Sequence, residues 1–522
     1  MTEVSTSTAT AGSGQAHQYV IIGAGPAGLQ LSYFLQQAGA DYVTLEREAA
    51  PAGFFRRFPR HRRLISLNKV HTMSTDPEIR LRWDWNSLLN DSPELLFPKF
   101  SDEYFPQADD MVNYLAEFGR LHRLAVRYDT PAERIERTED GFLVHTPEAT
   151  LRGRCVIVAA GWGKPYVPPI AGIEHATGYE DMEIDPAAYA GQRVLIIGKG
   201  NSAFETSAAL LGQAAMVHLA SRSPLRLAWN TKHPGDVRGQ YAAILDSYQF
   251  KTLHSVLDCI IDEIRPVGDR FEAHISYTHA EGEQAVLEYE SVLRCTGFRM
   301  DTSVFDQTCL PEMVRDGRIP ALRPDWQSAN VDDLYFAGTI AQARDTRHAS
   351  SPFIDGFRYN LRTLTTLLRE RYDGVPLEYD LAPQDPDRLT SLVLDRVNWS
   401  SALWTQFEYL CDVLALDEAA GQFRLYRDLP EDYAVARFRD VPHYYTVALR
   451  WGREDYGDVF AIDRHPVPDR ARESAFIHPV IRRYRGTELI AEQHLLEDLL
   501  AEWRRPDRHI DPLRAFFAKD LG

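Results

Sequence analysis

Residues Gly23-Ala24-Gly25-Pro26-Ala27-Gly28 lie between an apolar run, Tyr19 to Ile22, and an amphipathic stretch from about Ala27 to Ala38. Glycines at G-x-G-x-x-G spacing have separate duties. The first permits a tight strand-to-helix turn, the second lets backbone N–H groups approach a pyrophosphate, and the third lets helix and strand pack closely. The helix N-terminus adds the positive end of its dipole. A second apolar run, Tyr42 to Leu45, ends in Glu46, whose carboxylate suits the hydroxyls of an adenosine ribose and disfavours a 2′-phosphate. FAD and NAD(H) fit such a site and NADP(H) does not. The G-x-G-P-A-G form near the chain start, and Gly53-Phe54-Phe55 just past the acid, select FAD. Pro26, Ala27, Arg47 and Phe55 complete this candidate cofactor-binding set.

The same device recurs: an apolar run, Arg193 to Ile197, then Gly198-Lys199-Gly200-Asn201-Ser202-Ala203, a helix to about Leu211, and a strand, Val217 to Ala220. Ala203 stands where the third glycine would be, which the general pattern accepts. Here the second strand ends in Ser221-Arg222, so a cation replaces the anion. A guanidinium can pair bidentately with a ribose 2′-phosphate, and the expected ligand of Gly198, Gly200, Asn201, Ser202, Ala203 and Arg222 is NADPH. Arg226 is a further contact.

Such turns need elements to carry them. The two β-α-β units are an internal repeat, and further strands at Cys155 to Ala159, Ser291 to Cys295 and Leu334 to Phe336 each run into glycine, at Gly161, Gly297 and Gly338. The expected fold is α/β, with two Rossmann-like domains and an α+β C-terminal extension. The expected boundaries are a disordered tail over 1–17, an FAD-binding domain over 18–165 plus 291–372, an NAD(P)H-binding domain over 166–290, a linker over 373–388 and the extension over 389–522. Within the extension, alternation predicts a strand around His443 to Arg450, and a helix is expected from Glu488 to Trp503.

Composition sets limits on partners. The 522 residues include 57 Lys plus Arg against 75 Asp plus Glu, a formal charge of −18, which speaks against a nucleic-acid partner. No apolar run is long enough for a membrane span, and the small, polar opening segment has no signal-peptide core, so a cytoplasmic protein without a membrane partner is expected. Cys155, Cys259, Cys295, Cys309 and Cys411 are too dispersed for a redox-active pair and read as buried thiols.

Taken together, the paired units and strand-to-glycine returns resemble the two-dinucleotide-binding flavoproteins, among them the flavin-containing and N-hydroxylating monooxygenases. Longer segments, FPRHRRLISLNK (Phe58 to Lys69), LRWDWNSLL (Leu81 to Leu89), YFPQADDMVNYL (Tyr104 to Leu115), GKGNSAFET (Gly198 to Thr206) and FIDGFRYNLRTL (Phe353 to Leu364), are similar to the FAD-dependent oxidoreductase domain-containing family, that of the ER flavoprotein associated with degradation. The resemblance covers roughly Tyr19 to Leu368. The C-terminal AKDLG is not that relative's kind of retention signal, so its cellular role does not carry over.

The resemblance to monooxygenases implies an asparagine beside the flavin edge, and Ser66-Leu67-Asn68-Lys69 matches that place. Asn68 is the candidate catalytic residue, with loop-backbone satisfaction as its structural alternative. The F-x-G-x-x-x-H fingerprint survives only as Gly172-Ile173-Glu174-His175 followed by Tyr179. Phe336-Ala337-Gly338-Thr339 resembles an F-A-G-D return with threonine replacing the ribityl-binding acid. Phe353 then opens a helix whose N-terminus would face the flavin.

Other clusters are less decided. The run Arg56, Arg57, Arg60, His61, Arg62 and Arg63 suits cofactor phosphates or an anionic substrate, or is a solvated face. Trp83-Asp84-Trp85 reads as core or pocket wall, and Trp229 to His233 as a segment able to reach the substrate space. The expected activity is NADPH-dependent FAD monooxygenation of a soft heteroatom through a C4a-hydroperoxyflavin, as in N-hydroxylation of a small or amino-acid-like amine. Its partners are O2 and a small molecule, and a homodimer is a candidate assembly. The alternatives are an NAD(P)H oxidase or reductase serving a small acceptor or protein, and a non-enzymatic flavin-containing interaction protein.

Overall fold

In the computed structural model, residues 15–227, 237–247, 251–345, 349–452 and 462–521 are described. Most of the N-terminal tail, and all of Trp229 to His233, therefore lie outside the described residues. Strand β1 (Ala16–Ile22) buries Tyr19, Val20, Ile21 and Ile22 in succession. Continuous apolar burial of this kind marks a strand covered on both faces, as parallel sheets require. Helix α1 (Pro26–Gln37) follows, with Pro26 in its first turn, where a missing N–H costs nothing. Strand β2 (Tyr42–Leu45) pairs parallel to β1, completing the first unit. Thr150–Val158 is parallel to β1 and central in the sheet, Val126–Arg127 and Leu334–Phe336 add further parallel strands, and Arg134–Thr138 with Gly141–His145 form its antiparallel side. Between this unit and the next, a loop-rich segment carries the short helix α2 (Pro77–Leu81).

The second sheet repeats the plan. Strand β3 (Arg193–Ile197), helix α3 (Asn201–Leu210) and strand β4 (Met216–Ser221) form the unit, with β3 parallel to both β4 and Ser291–Arg294. An antiparallel ribbon, Ser255–Val267, Arg270–Tyr277 and Gln284–Tyr289, extends its far side. Helix α4 (Ile354–Asp373) then returns to the first domain and packs on α1.

The C-terminal extension has helices α5 (Pro386–Trp399) and α6 (Ser401–Thr405) against a six-stranded antiparallel sheet. Its apolar side chains and those of the first sheet form one continuous core. The Pro- and Asp-rich stretch expected to be a linker supplies this sheet's edge strand, Asp380–Pro383, where proline is tolerated.

Two expectations are corrected here. Ala16 and His17 belong to β1, so the tail is shorter than residue 17. Glu488 to Trp503 is not a helix: Glu488–His494 is an edge strand paired with His478–Arg485, and no helix follows before Trp503. The helix-favouring composition of that stretch is overridden by cross-strand pairing, including Arg482 to Glu492 at 2.5 Å. The strand expected around His443 to Arg450 is present as Tyr444–Arg450. No described helix is long and apolar enough to cross a membrane.

Candidate dinucleotide-binding site

At the first turn, Gly23 has φ +104°, and a Cβ there would sit 2.9 Å from the Ala159 carbonyl oxygen. A Cβ on Gly28 would fall 1.9 Å from the Gly23 carbonyl oxygen, so a side chain there forces α1 off the turn. Gly25 faces open space. The buried Glu46 carboxylate accepts the Ala24 N–H at 2.6 Å and the Glu48 N–H at 3.0 Å, which orients it at the end of β2. Each carboxylate oxygen keeps acceptor capacity for a ribose hydroxyl.

The second turn is built alike. Gly198 has φ +124°, and its Cβ would lie 2.3 Å from the Cys295 carbonyl oxygen. Asn201 at the start of α3 accepts the Arg238 N–H at 3.0 Å. Lys199, paired with Asp258, and the exposed Arg222 and Arg226 supply positive charge at the end of β4.

Both turns open on one cavity of about 2330 Å³. Of the expected residues, Gly23, Gly25, Pro26, Ala27, Glu46, Arg47, Phe55, Gly198, Gly200, Asn201, Ser202, Arg222, Thr339 and Phe353 line it. Gly28, Ala203 and Gly338 are set behind the wall. Gly338, at φ +74°, would place a Cβ 2.5 Å from the Ala27 Cβ, so its part is close packing. Thr339 donates to the Pro352 carbonyl at 3.0 Å just before Phe353 caps α4.

Asn68, the expected catalytic residue, stands apart from this set. Its side-chain N–H donates to the Ser101 carbonyl at 2.7 Å, its backbone N–H to the Tyr104 carbonyl at 3.0 Å, and the residue is buried off the cavity wall. It ties one loop to another. Of the two loop asparagines it is Asn86, 1% exposed, that lines the wall; it donates to the Leu67 carbonyl at 3.2 Å while its Oδ1 has no protein partner. The local signal was Asp84, whose Oδ1 accepts the N–H groups of Asn86 and Ser87, both at 2.9 Å, and turns the chain. Trp85 beside it is on the wall, whereas Trp83 packs outward on Trp404.

A second wall residue that sequence reasoning passed over is Glu205 on α3. Burial pushes its carboxyl up to about 7, against a hydrogen bond from the Tyr179 hydroxyl at 3.1 Å, and its other oxygen has no protein partner. Tyr179 stacks on Phe58 and accepts the Arg60 N–H at 2.8 Å, which links the two dinucleotide domains across the cavity. His175, three residues into the degenerate fingerprint, stays off the wall beside Glu174. From the basic run, Arg56, Arg57, Arg60 and Arg62 line the cavity, and each also anchors locally: to Pro51, Glu48, Met182 and Asp109 respectively.

Residues 20–338 match the model of a family described as pyridine nucleotide-disulphide oxidoreductase, a span that holds both turns and the Gly338 return. The chain belongs to that family. Over nearly its whole length this flavoprotein oxidoreductase also falls in a narrower group: it is 35% identical to FAD-dependent oxidoreductase domain-containing protein 2 of Mus musculus, across 96% of this chain and 84% of the mouse protein. Solved structures share the fold over about two thirds of the chain. A flavin-containing monooxygenase from Stenotrophomonas maltophilia superposes with a TM-score of 0.52 at 22% identity, covering 68% of this oxidoreductase and 99% of the monooxygenase. The bacillithiol disulfide reductase of Staphylococcus aureus gives 0.53 at 17% identity, over 68% and 99%. The five cysteines of this oxidoreductase are all free and buried.

Proposed function

We propose that this FAD-dependent oxidoreductase is an NADPH-dependent monooxygenase that oxygenates a soft heteroatom, with the nitrogen of a small or amino-acid-like amine as the favoured target. The observation that carries the reading is the shared cavity: an acid-terminated FAD turn and an arginine-terminated second turn face one space, and none of the five buried cysteines is paired to relay electrons as a dithiol. FAD, reduced by NADPH, supplies the oxygen-activating chemistry.

The chain's own residues divide the remaining work. Gly23, Gly25 and the α1 N-terminus hold the FAD pyrophosphate, and Glu46 accepts from its ribose. Arg222, with Arg226, pairs with the NADPH 2′-phosphate. Asn86 is a wall residue whose buried side-chain carbonyl oxygen has no protein partner, an acceptor suited to an N–H of the flavin, nicotinamide or an amine substrate. Burial favours the protonated form of the Glu205 carboxyl below about pH 7, which makes this wall residue a hydrogen-bond donor there. No strong base is required, because an amine or thioether is already nucleophilic.

The deciding experiment reduces the FAD-loaded enzyme anaerobically with NADPH, then adds O2 with and without candidate amines. Monooxygenation predicts a delay before the oxidised flavin spectrum returns, and oxygenated product at the expense of peroxide. Immediate reoxidation with stoichiometric peroxide across many amines and thioethers would establish an oxidase instead.

A further inference from the structure

Among the described residues, none beyond Phe357 lines the cavity, so the C-terminal extension adds nothing to its wall directly. It grips the segment that does. Glu78 on α2 accepts both the backbone N–H and the hydroxyl of Ser401, each at 2.7 Å. Arg82 donates to the Asn398 carbonyl at 2.9 Å, and its guanidinium lies 4.3 Å from the Trp404 ring centre. Trp83 meets the same ring edge-on at 5.3 Å. Asn398 is held in turn by Trp503, whose N–H donates to it at 2.8 Å and whose carbonyl accepts from it at 3.1 Å. From the opposite side Arg358 of α4 donates to the carbonyls of Leu81 and Ser87, both at 2.7 Å. Trp85 and Asn86 sit between these clamps.

Stability alone does not explain the arrangement. Arg82 is 5% exposed, and two of its nitrogens have no protein partner. A buried guanidinium of this kind is expensive, and an apolar side chain of similar size commonly packs as well. What the guanidinium adds is direction, since a planar donor stacked on an indole fixes both the distance and the angle of the chain it belongs to.

We propose that the extension positions Trp85 and Asn86 on the cavity wall, with Arg82, Ser401 and Trp404 as the positioning residues. This rests on the reading above that the Asn86 oxygen accepts from the flavin, nicotinamide or substrate. The five-residue α2 and its flanking loops cannot hold a side chain to the tolerance that oxygen transfer needs, and a displacement of ~1 Å can cost about 10²-fold in rate. The extension supplies the rigidity from outside.

The test uses the full-length, FAD-loaded enzyme and compares Arg82→Met, Ser401→Ala, Trp404→Ala and Trp404→Phe with Asn86→Ala. Three quantities are read: the visible flavin spectrum, the peroxide formed per NADPH consumed, and kcat against KM for NADPH. Arg82→Met and Trp404→Ala should shift the spectrum in the direction of Asn86→Ala, raise the peroxide fraction and lower kcat about ten-fold or more, with KM for NADPH within about two-fold. Trp404→Phe, which keeps a ring, should restore wild-type behaviour. Should Arg82→Met not fold, Ser401→Ala removes only one hydroxyl and makes the same comparison. Wild-type spectrum and kcat in the extension variants, alongside a clear Asn86→Ala effect, would overturn the proposal. No effect of Asn86→Ala itself would remove the reading of the wall, and this proposal with it.

Discussion

Replacing Glu205 by glutamine should make the pH dependence of stability report directly on the cavity. In the folded protein burial raises this carboxyl from the usual 4.5 to about 7. The unfolded chain releases the proton near 4.5, whereas the folded chain holds it until about 7, so between those values the folded state binds more protons. Stability therefore falls as pH rises through this window, and the loss is complete above pH 7. The displacement corresponds to about 3 kcal/mol. Glutamine fills the same space, can still accept from the Tyr179 hydroxyl and does not titrate. Denaturant midpoints of the FAD-loaded protein, measured without NADPH from pH 4.5 to 8, should show the variant gaining on wild type by up to about 3 kcal/mol across the window. Because Glu205 has an oxygen without a protein partner on the cavity wall, NADPH binding should also weaken with pH more steeply in wild type than in the variant. Curves that stay parallel to within about 0.5 kcal/mol, the ordinary range for an inconsequential surface change, would refute the buried neutral carboxyl.

Gly28→Ala should abolish stable FAD binding, because the new methyl would sit 1.9 Å from the Gly23 carbonyl oxygen; flavin content of the purified protein checks it. Arg222→Ala should raise KM for NADPH by about ten-fold or more while changing KM for NADH little, in line with the loss of one charge-assisted contact. Equal changes for both nucleotides would remove the 2′-phosphate assignment. Asn68→Ala should lower stability by about 1–3 kcal/mol through the stranded Ser101 carbonyl, with kcat nearly unchanged. A selective loss of kcat in a fully stable Asn68→Ala enzyme would return that residue to the chemistry.

The glycine turns were legible because their constraints are local. A positive φ at Gly23 and Gly198 and the approach of Gly28 to the Gly23 carbonyl are set within the turn and favour glycine, and the residue ending the next strand places a charge beside it. That is why the two turns containing Gly23, Gly28 and Gly198 could be read from the sequence as strand-to-helix turns. Local pattern misled where long-range pairing ruled: Glu488 to His494 has the residues of a helix but lies against His478 to Arg485. Asn68 and Asn86 are both buried asparagines in neighbouring loops, and although Asp84 marks a turn at Asn86, which amide meets its hydrogen-bond needs from protein depends on residues distant in sequence such as Ser101.

By itself, then, the sequence determined a flavoprotein fold with two glycine turns whose following strands end in residues of opposite charge, since those features are written in contiguous residues. Only the tertiary structure decided which side chains share the cavity. The pairing of Glu205 with Tyr179, and of the Trp85 to Asn86 wall with an extension some three hundred residues later, depends on contacts between elements far apart in the chain, and burial and hydrogen-bond satisfaction exist only once those elements have met.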